Sequence, residues 1–481
     1  KRGAIAEVAM CYTGDILNPA RTKYNMQYYK DFAKEIEKSG AHILAIKDMS
    51  GLLKPQAAFE LIGALKGILN IPIHLHTHDT SSLQSATYLK AIEAGVDVID
   101  CCMGAVSGLT SQPSFNAMVE MMQFTEREQP YNLEILHQHA TYWETVREYY
   151  YPFESGLKAS SAEVFRHEIP GGQYSNLKPQ ATSLGLGHKM EEIKKRYADV
   201  NDLFGDIVKV TPSSKVVGDM ALFMVSNGLT KEDVLTNGTS LSFPESVVSF
   251  FRGDIGQPVG GFDPELQKII LKDVKPYTDR PNQHLEPVDF QKEMETFQEK
   301  FDKDVTETDL LSYLLYPKVF EEYYNNSKLY GDVIPIPTPN FFYGLKDDEE
   351  VLIQIDKGKS ILVRLLTCTE PDSEGKKKVF MRLNGQTRII EIQDKSIQVV
   401  KQENRKGEKN NASHVVSPLQ GKLSQIFVKE GDVLKQNQPL FVIEAMKMET
   451  TITANGDGKV KELLLSVGSM VKSDDLVLVM N

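Results

Sequence analysis

Apolar positions in the first hundred residues fall into two alternating kinds of segment. Short runs at Ala6–Tyr12, His42–Asp48, Pro72–His78 and Val96–Cys102 have the length of strands. Between them, Met26–Ser39, Gln56–Leu69 and Ser82–Gly95 carry apolar residues at helical spacing, and Gly40 and Gly95 stand where helices stop. Strand–helix units in series predict parallel strands joined by right-handed crossovers, as a barrel or a doubly wound sheet. No glycine-rich phosphate fingerprint opens any of the helices, which favours a (β/α)8 barrel. Four strands are predicted, with a candidate fifth near His167–Pro170. A closed barrel takes eight strands over roughly 250 residues. The expectation is therefore an incomplete barrel over residues 1–175, its other strands lying before Lys1.

From about Leu133 to Tyr343 the pattern is mostly helical and irregular, giving a helical extension over 176–345. Phe290–Phe301 and Asp309–Asn325 read as acidic amphipathic helices, and Ile334-Pro335-Ile336-Pro337 stops any helix. The period then changes to two. Val351–Ile355, Ile361–Leu366, Val379–Leu383 and Gln386–Ile392 predict strands, with Asn384-Gly385 as a two-residue hairpin turn. These make a small β domain over 346–400. Lys401–Ser413 is polar, charged and aperiodic, and is expected to be a flexible linker.

Residues 414–481 contain an internal repeat. Gly421 matches Gly458, Gly431 matches Gly468, Lys435 matches Lys472, and Leu440 and Val442 match Val477 and Val479. Two copies of one strand–turn–strand unit predict a small flattened β-barrel with approximate twofold symmetry. Glu444-Ala445-Met446-Lys447-Met448-Glu449 falls at the junction of the copies, which places Lys447 on a hairpin tip. Most single lysines are ordinary surface residues. One at a turn between two methionines expected to be exposed is less easily explained that way.

The chain has 481 residues, enough for three or four folded units, with 54 basic and 66 acidic side chains. A net charge of −12 argues against a nucleic-acid binder, which needs a basic stripe. No apolar run approaches the ~18 residues of a membrane span. Cys11, Cys101, Cys102 and Cys368 lack ligand or disulfide spacing, so a reducing, intracellular setting is expected, cytoplasmic or, in a eukaryote, the mitochondrial matrix. The first residue is not Met, and a piece of a longer protein is expected.

Candidate chemistry sits on two adjacent strands. His74, His76 and His78 alternate along one strand and share a face. At a barrel's C-terminal mouth, His76 and His78 become candidate metal ligands, with His74 deeper in the packing. A hydrogen-bonded core pair is the competing reading. Lys47 ends the preceding strand, in Ile46-Lys47-Asp48-Met49. A protonated lysine binds no metal, whereas a carbamate formed with CO2 offers two oxygens. Ion pairing with Asp48 or a neighbouring carboxylate is the alternative, and spacing does not decide between them.

The repeat with Ala-Met-Lys-Met resembles the biotin carboxyl carrier domain, whereas lipoyl domains usually show Asp-Lys-Ala there. That resemblance implies biotin joined to the Lys447 ε-amine. Ile46–Met49, the His-x-His-Thr-His-Asp stretch, Thr110–Pro113, Glu168–Tyr174, Thr211-Pro212-Ser213-Ser214-Lys215 and Arg252–Pro258 resemble the carboxyltransferase domain of the pyruvate carboxylase family. The resemblance spans essentially the whole chain, and the 346–400 unit is similar to the family's tetramerisation domain. It implies a divalent zinc, manganese or cobalt on carbamylated Lys47, His76 and His78, with an upstream aspartate. It also implies Thr211 as proton relay, and Gln173, Ser214 and Lys215 as biotin contacts. The implied reaction is carboxyl transfer from carboxybiotin to pyruvate, giving oxaloacetate. Implied partners are an upstream biotin carboxylase domain using Mg-ATP and bicarbonate, a biotin protein ligase and a homotetramer. A carboxyltransferase subunit of oxaloacetate decarboxylase or transcarboxylase, and a non-catalytic biotin carrier scaffold, remain as alternatives.

Overall fold

The computed structural model describes residues 3–302, 304–372, 375–394, 404–408, 411, 413–445 and 448–481. By contact the chain forms two units, one of residues 1–283 with 404–481 and one of residues 284–403.

The first unit opens with four strands, β1 (Glu7–Cys11), β2 (Ile43–Lys47), β3 (Ile73–His76) and β4 (Val98–Ile99). They alternate with helices α1 (Met26–Lys38), α2 (Pro55–Lys66) and α3 (Gln84–Glu93). All the pairings are parallel, in the order β1-β2-β3-β4. The helices start where local chemistry directs: Asn25 caps the Tyr28 amide, and Pro55 opens α2 where its missing N–H has no partner to lose. Their inner faces, including Tyr29, Ala33, Leu61, Ile62 and Tyr88, bury against Met10, Leu44, Ile46, Ile73 and Leu75. Four parallel strands with helices on the outside are half of a (β/α)8 barrel.

The candidate fifth strand near His167–Pro170 is not formed. His167 ends the short helix α6 (Val164–His167), and Glu168 is left-handed at φ 55°. The cause is electrostatic. In that conformation the Glu168 carboxylate meets Arg21 at 2.9 Å and the fully buried Lys209 at 3.0 Å. Such a pair must stay satisfied once desolvated, and it fastens the loop before α1 to the helical region.

After α4 (Phe115–Met122) and α5 (Leu133–Tyr149), the helical region continues with α7 (Gly171–Ser183), α8 (Met190–Leu203), α9 (Ser213–Asn227), α10 (Lys231–Asn237), α11 (Glu245–Arg252) and α12 (Pro264–Leu271). Its core is built on α9, which is buried almost all round, against Ile193, Tyr197, Phe250 and Phe251.

The second unit holds α13 (Phe290–Lys300), α14 (Glu307–Leu315), α15 (Pro317–Tyr330) and α16 (Thr338–Tyr343), then an antiparallel meander. Its strands are β5 (Glu350–Asp356), β6 (Lys359–Cys368), β7 (Lys376–Leu383) and β8 (Gln386–Gln393). The single helix expected over 309–325 is two, because Pro317 cannot continue α14 and instead opens α15. Asn384 and Gly385, at φ 47° and 83°, make the two-residue hairpin turn.

The C-terminal strands are β9 (His414–Val416), β10 (Gly421–Ile426), β11 (Val433–Leu434), β12 (Pro439–Ala445), β13 (Met448–Thr453), β14 (Gly458–Leu463), β15 (Met470–Val471) and β16 (Leu476–Met480). They form sheets ordered β13-β12-β10-β15 and β11-β14-β16-β9. The repeat explains this arrangement: β10, β11 and β12 correspond to β14, β15 and β16, and each copy sends its short strand to the other copy's sheet. Gly431 and Gly468 take the same left-handed turn, at φ 92° and 95°.

The polar stretch 401–413 departs from the linker expectation wherever it is described. The Leu476 amide donates to Arg405, the Gly407 amide donates to Asp474, and Lys406 pairs with buried Asp475 at 2.7 Å. Low apolar content predicts disorder only when burial must drive ordering. Here backbone pairing and an ion pair with the residues that lead into β16 hold residues 404–408.

Candidate functional site

The three histidines share one face of β3 and its extension, as the period of two requires, while Ile73, Leu75 and Thr77 are buried on the other. His76 is paired in register with Lys47 of β2. The Nε2 atoms of His76 and His78 face each other at 3.3 Å. Each ring's Nδ1 is engaged: His76 with the Asp100 carboxylate at 2.7 Å, and His78 with the Thr110 carbonyl at 2.6 Å.

A carbonyl only accepts, so Nδ1 of His78 carries the proton and Nε2 carries the lone pair. Burial keeps this imidazole neutral by pushing its pKa down, against the Thr110 bond and with the neighbouring His76. The Asp100 carboxylate likewise accepts from His76 Nδ1, which turns the His76 Nε2 toward His78. Two rings held at Nδ1, with Nε2 atoms converging, are what a divalent cation requires. The competing core pair would need one Nε2 to donate to the other.

His74 bridges Asp100 and Glu7, at 2.8 Å each. Burial disfavours its cation, but the two carboxylates outweigh burial and raise its pKa. Asp100 is held below the usual carboxylate range, chiefly by its bond to His76. His74 is thus the group that braces Asp100.

The Asp48 alternative for Lys47 fails. Asp48 is fully buried, and its carboxylate accepts the amides of Gly51, Leu52 and Leu53 and the Thr77 hydroxyl, shaping the loop after β2. Lys47 is half-buried at the end of its strand, beside the histidines. Among the described residues no three His, Cys, Asp or Glu side chains cluster as a metal set. A cation here therefore takes two imidazoles and needs a further donor, which a Lys47 carbamate would supply.

Helix α7 begins on this site. The Gly171 amide donates to Met49, and a Cβ on Gly171 would stand 2.7 Å from His78 Nδ1. Gln173, in the first turn, reaches α9, where a Cβ at Gly218 would lie 2.5 Å from its Nε2, a buried donor without a partner. One turn earlier on α9, Ser214 is buried and Lys215 pairs with Asp219. His78, Gly171, Gln173 and the start of α9 are therefore linked by direct packing. Thr211 is exposed, two residues before α9.

Met446 and Lys447 lie outside the described residues. Their neighbours Ala445 and Met448 are register partners of β12 and β13, and Met448 is buried in the carrier core rather than exposed as expected. The carrier unit rests on the helical region: Pro244 bridges Thr450, Ser242 Oγ accepts the Thr453 amide at 3.4 Å, and Asn437 donates to Asp273 at 3.1 Å.

The orienting groups Asp100, Thr110 and Gly171 escaped the sequence reading. Asp100 follows β4, where Asp97-Val98-Ile99-Asp100 offered a signal: an acidic residue at the C-terminal end of a barrel strand.

Half a barrel whose mouth carries a histidine pair, joined through helices to a twofold β carrier, defines a barrel carboxyltransferase with a biotinyl unit. Comparison with known families agrees. Residues 16–142 match the HMGL-like family, 164–364 the conserved carboxylase domain, and 413–480 the biotin-requiring enzyme family. Pyruvate carboxylases of Staphylococcus aureus and Bacillus subtilis are 50% and 48% identical over 99% of this chain. The carboxyl transferase domain of Rhizobium etli pyruvate carboxylase superposes with a TM-score of 0.77 at 50% identity, over 82% of this chain and 66% of that one. The complete Rhizobium etli enzyme gives 0.75 at 46% identity, over 99% of this chain and 44% of that one. The chain belongs to the pyruvate carboxylase family. It spans about two fifths of the length of the curated relatives it matches, 42% of each of the two bacterial proteins.

Proposed function

We propose that this chain carries out the carboxyl-transfer half of a pyruvate carboxylase, taking a carboxyl group from biotin on Lys447 and giving it to pyruvate to form oxaloacetate. The observation that supports this most is the convergent pair of imidazoles, each held at Nδ1, at a barrel mouth in a chain that also carries a biotinyl fold. His76, His78 and carbamylated Lys47 would hold the divalent cation. A zinc, manganese or cobalt ion there polarises the substrate carbonyl, and N-carboxybiotin supplies the one-carbon unit.

The chain's own residues have distinct tasks. Thr211 accepts a proton from the pyruvate methyl and passes one to the biotin ureido nitrogen, since a hydroxyl both donates and accepts. Gln173, Ser214 and Lys215 bind and orient the biotin ring. Asp100 and Thr110 keep His76 and His78 in the ligating tautomer. Gly171 lets α7 approach closely enough to shield the site from water.

The reading extends to an upstream biotin carboxylase domain using Mg-ATP and bicarbonate, to a biotin protein ligase that modifies Lys447, and to a homotetramer through the β5–β8 sheet. Four free thiols suit a reducing compartment. No described helix is long and apolar enough to cross a membrane.

The test is Thr211→Ala in the complete enzyme. Biotinylation should persist while oxaloacetate formation falls by about 10²–10⁴-fold, the usual range for a lost proton relay. Normal oxaloacetate formation would remove Thr211 from the mechanism.

A further inference from the structure

Asp219, on α9, belongs to none of the groups assigned above. Its side chain is buried, and its Oδ2 accepts from two sources at once, Lys215 Nζ at 2.5 Å and Ser246 Oγ of α11 at 2.6 Å. Its Oδ1 is also buried and has no hydrogen-bond partner. Burial pushes this carboxyl's pKa up, and only Lys215 and Ser246 oppose that. A half-satisfied buried carboxylate is a poor packing element, so its retention here points to the two groups it joins.

Those groups face different partners. Lys215 lies at the start of α9, one turn from where Gln173 packs. Ser246 lies two residues after Pro244, whose backbone bridges Thr450 of carrier strand β13. Thr450 is itself fully buried there, with its hydroxyl unpartnered, and Ser242 adds a second contact at Thr453.

We propose that Asp219 is a positioning residue that couples seating of the carrier to placement of Lys215. The coupling rests on the reading of Lys215 as a biotin contact. When β13 pairs with Pro244, the first turn of α11 is fixed and Ser246 presents its hydroxyl to Asp219. The carboxylate then holds the Lys215 ammonium in one orientation as the tethered biotin arrives.

The test compares two acceptors of the carboxyl group of oxaloacetate in the complete enzyme: its own tethered biotin, and free biotin added to a Lys447→Arg background. Ser246→Ala should slow transfer to the tethered acceptor about tenfold while changing free-biotin transfer less than twofold, and Ser246→Thr should restore it. Asp219→Asn should raise the KM for free biotin about tenfold, because Lys215 loses its anchor. If Asp219→Asn does not fold, the Ser246 pair carries the test. Equal loss on both acceptors in Ser246→Ala, or loss on neither, overturns the coupling. An unchanged KM in folded Asp219→Asn does so as well. A wild-type enzyme that carboxylates neither acceptor overturns the functional reading, and the coupling falls with it.

Discussion

Adding one methyl group at Gly171 should damage the proposed metal site while leaving its proposed ligands, His76 and His78, unsubstituted. An alanine Cβ there would stand 2.7 Å from His78 Nδ1, 3.0 Å from His78 Cγ and 3.0 Å from the Thr110 carbonyl. The last atom and the first are the two partners of the 2.6 Å bond that fixes the His78 tautomer. The methyl therefore sits over the bond itself, and retreat is opposed by the Gly171 amide's 2.8 Å bond to Met49. Overpacking of this kind costs about 1–3 kcal/mol of stability. Loss of an outer hydrogen bond to a metal-ligating histidine lowers affinity roughly 10–100-fold. Gly172→Ala is the control, because nothing lies within 4 Å of its Cβ position. Metal titration by calorimetry, with thermal unfolding in parallel, should show both losses in Gly171→Ala and neither in Gly172→Ala. Unchanged metal affinity in a folded Gly171→Ala protein would refute the claim that α7 is seated on His78.

Other outcomes follow from the same geometry. Asp100→Asn should cost about 10–100-fold in metal affinity, measured by competition with a chelator, since the His76 proton loses its anionic acceptor. Gly421→Ala should destabilise the carrier by about 1–3 kcal/mol, because its Cβ would lie 2.6 Å from the Glu444 carbonyl and 2.7 Å from Ile443. The repeat-related Gly458→Ala should cost less, as its nearest neighbour is the flexible end of Met480. Urea titrations of the two variants check the order. Buried His167 is pushed down to about 4, chiefly by burial. The folded state then binds fewer protons than the unfolded state between the unfolded pKa, about 6.5, and 4. Stability from this group is full above that window and is lost as pH falls through it, by about 3 kcal/mol. His167→Gln should flatten the pH dependence of urea midpoints across that interval, and an unchanged slope would contradict it.

How much was legible in the sequence depended on whether the governing physics was local. The strand–helix alternation, the hairpin at Asn384-Gly385 and the twofold carrier follow from period, turn chemistry and repeat spacing, and all are found in the structure. The shared face of His74, His76 and His78 follows from strand geometry alone. Pro317 was a local signal too, and reading through it merged two helices. The partners that give the histidines their tautomers come from Asp100 and Thr110, 24 and 32 residues away. Only the folded sheet brings them together. Glu168 misled for a similar reason: a strand-like run became a left-handed turn because Arg21 and Lys209 approach it from distant segments. The stretch 404–408 looked unable to order itself, yet Asp474–Leu476, at the entry to β16, supply what its own composition lacks.

The most direct measurement of the account follows a labelled carboxyl group. Oxaloacetate labelled at the carbon that pyruvate lacks is mixed with the complete enzyme, and the carrier peptide is then recovered and analysed by mass spectrometry. The label should be found on biotin at position 447 in the wild type and be absent from both Lys447→Arg and a protein stripped of metal. Label on the arginine variant, or undiminished transfer without metal, would contradict it.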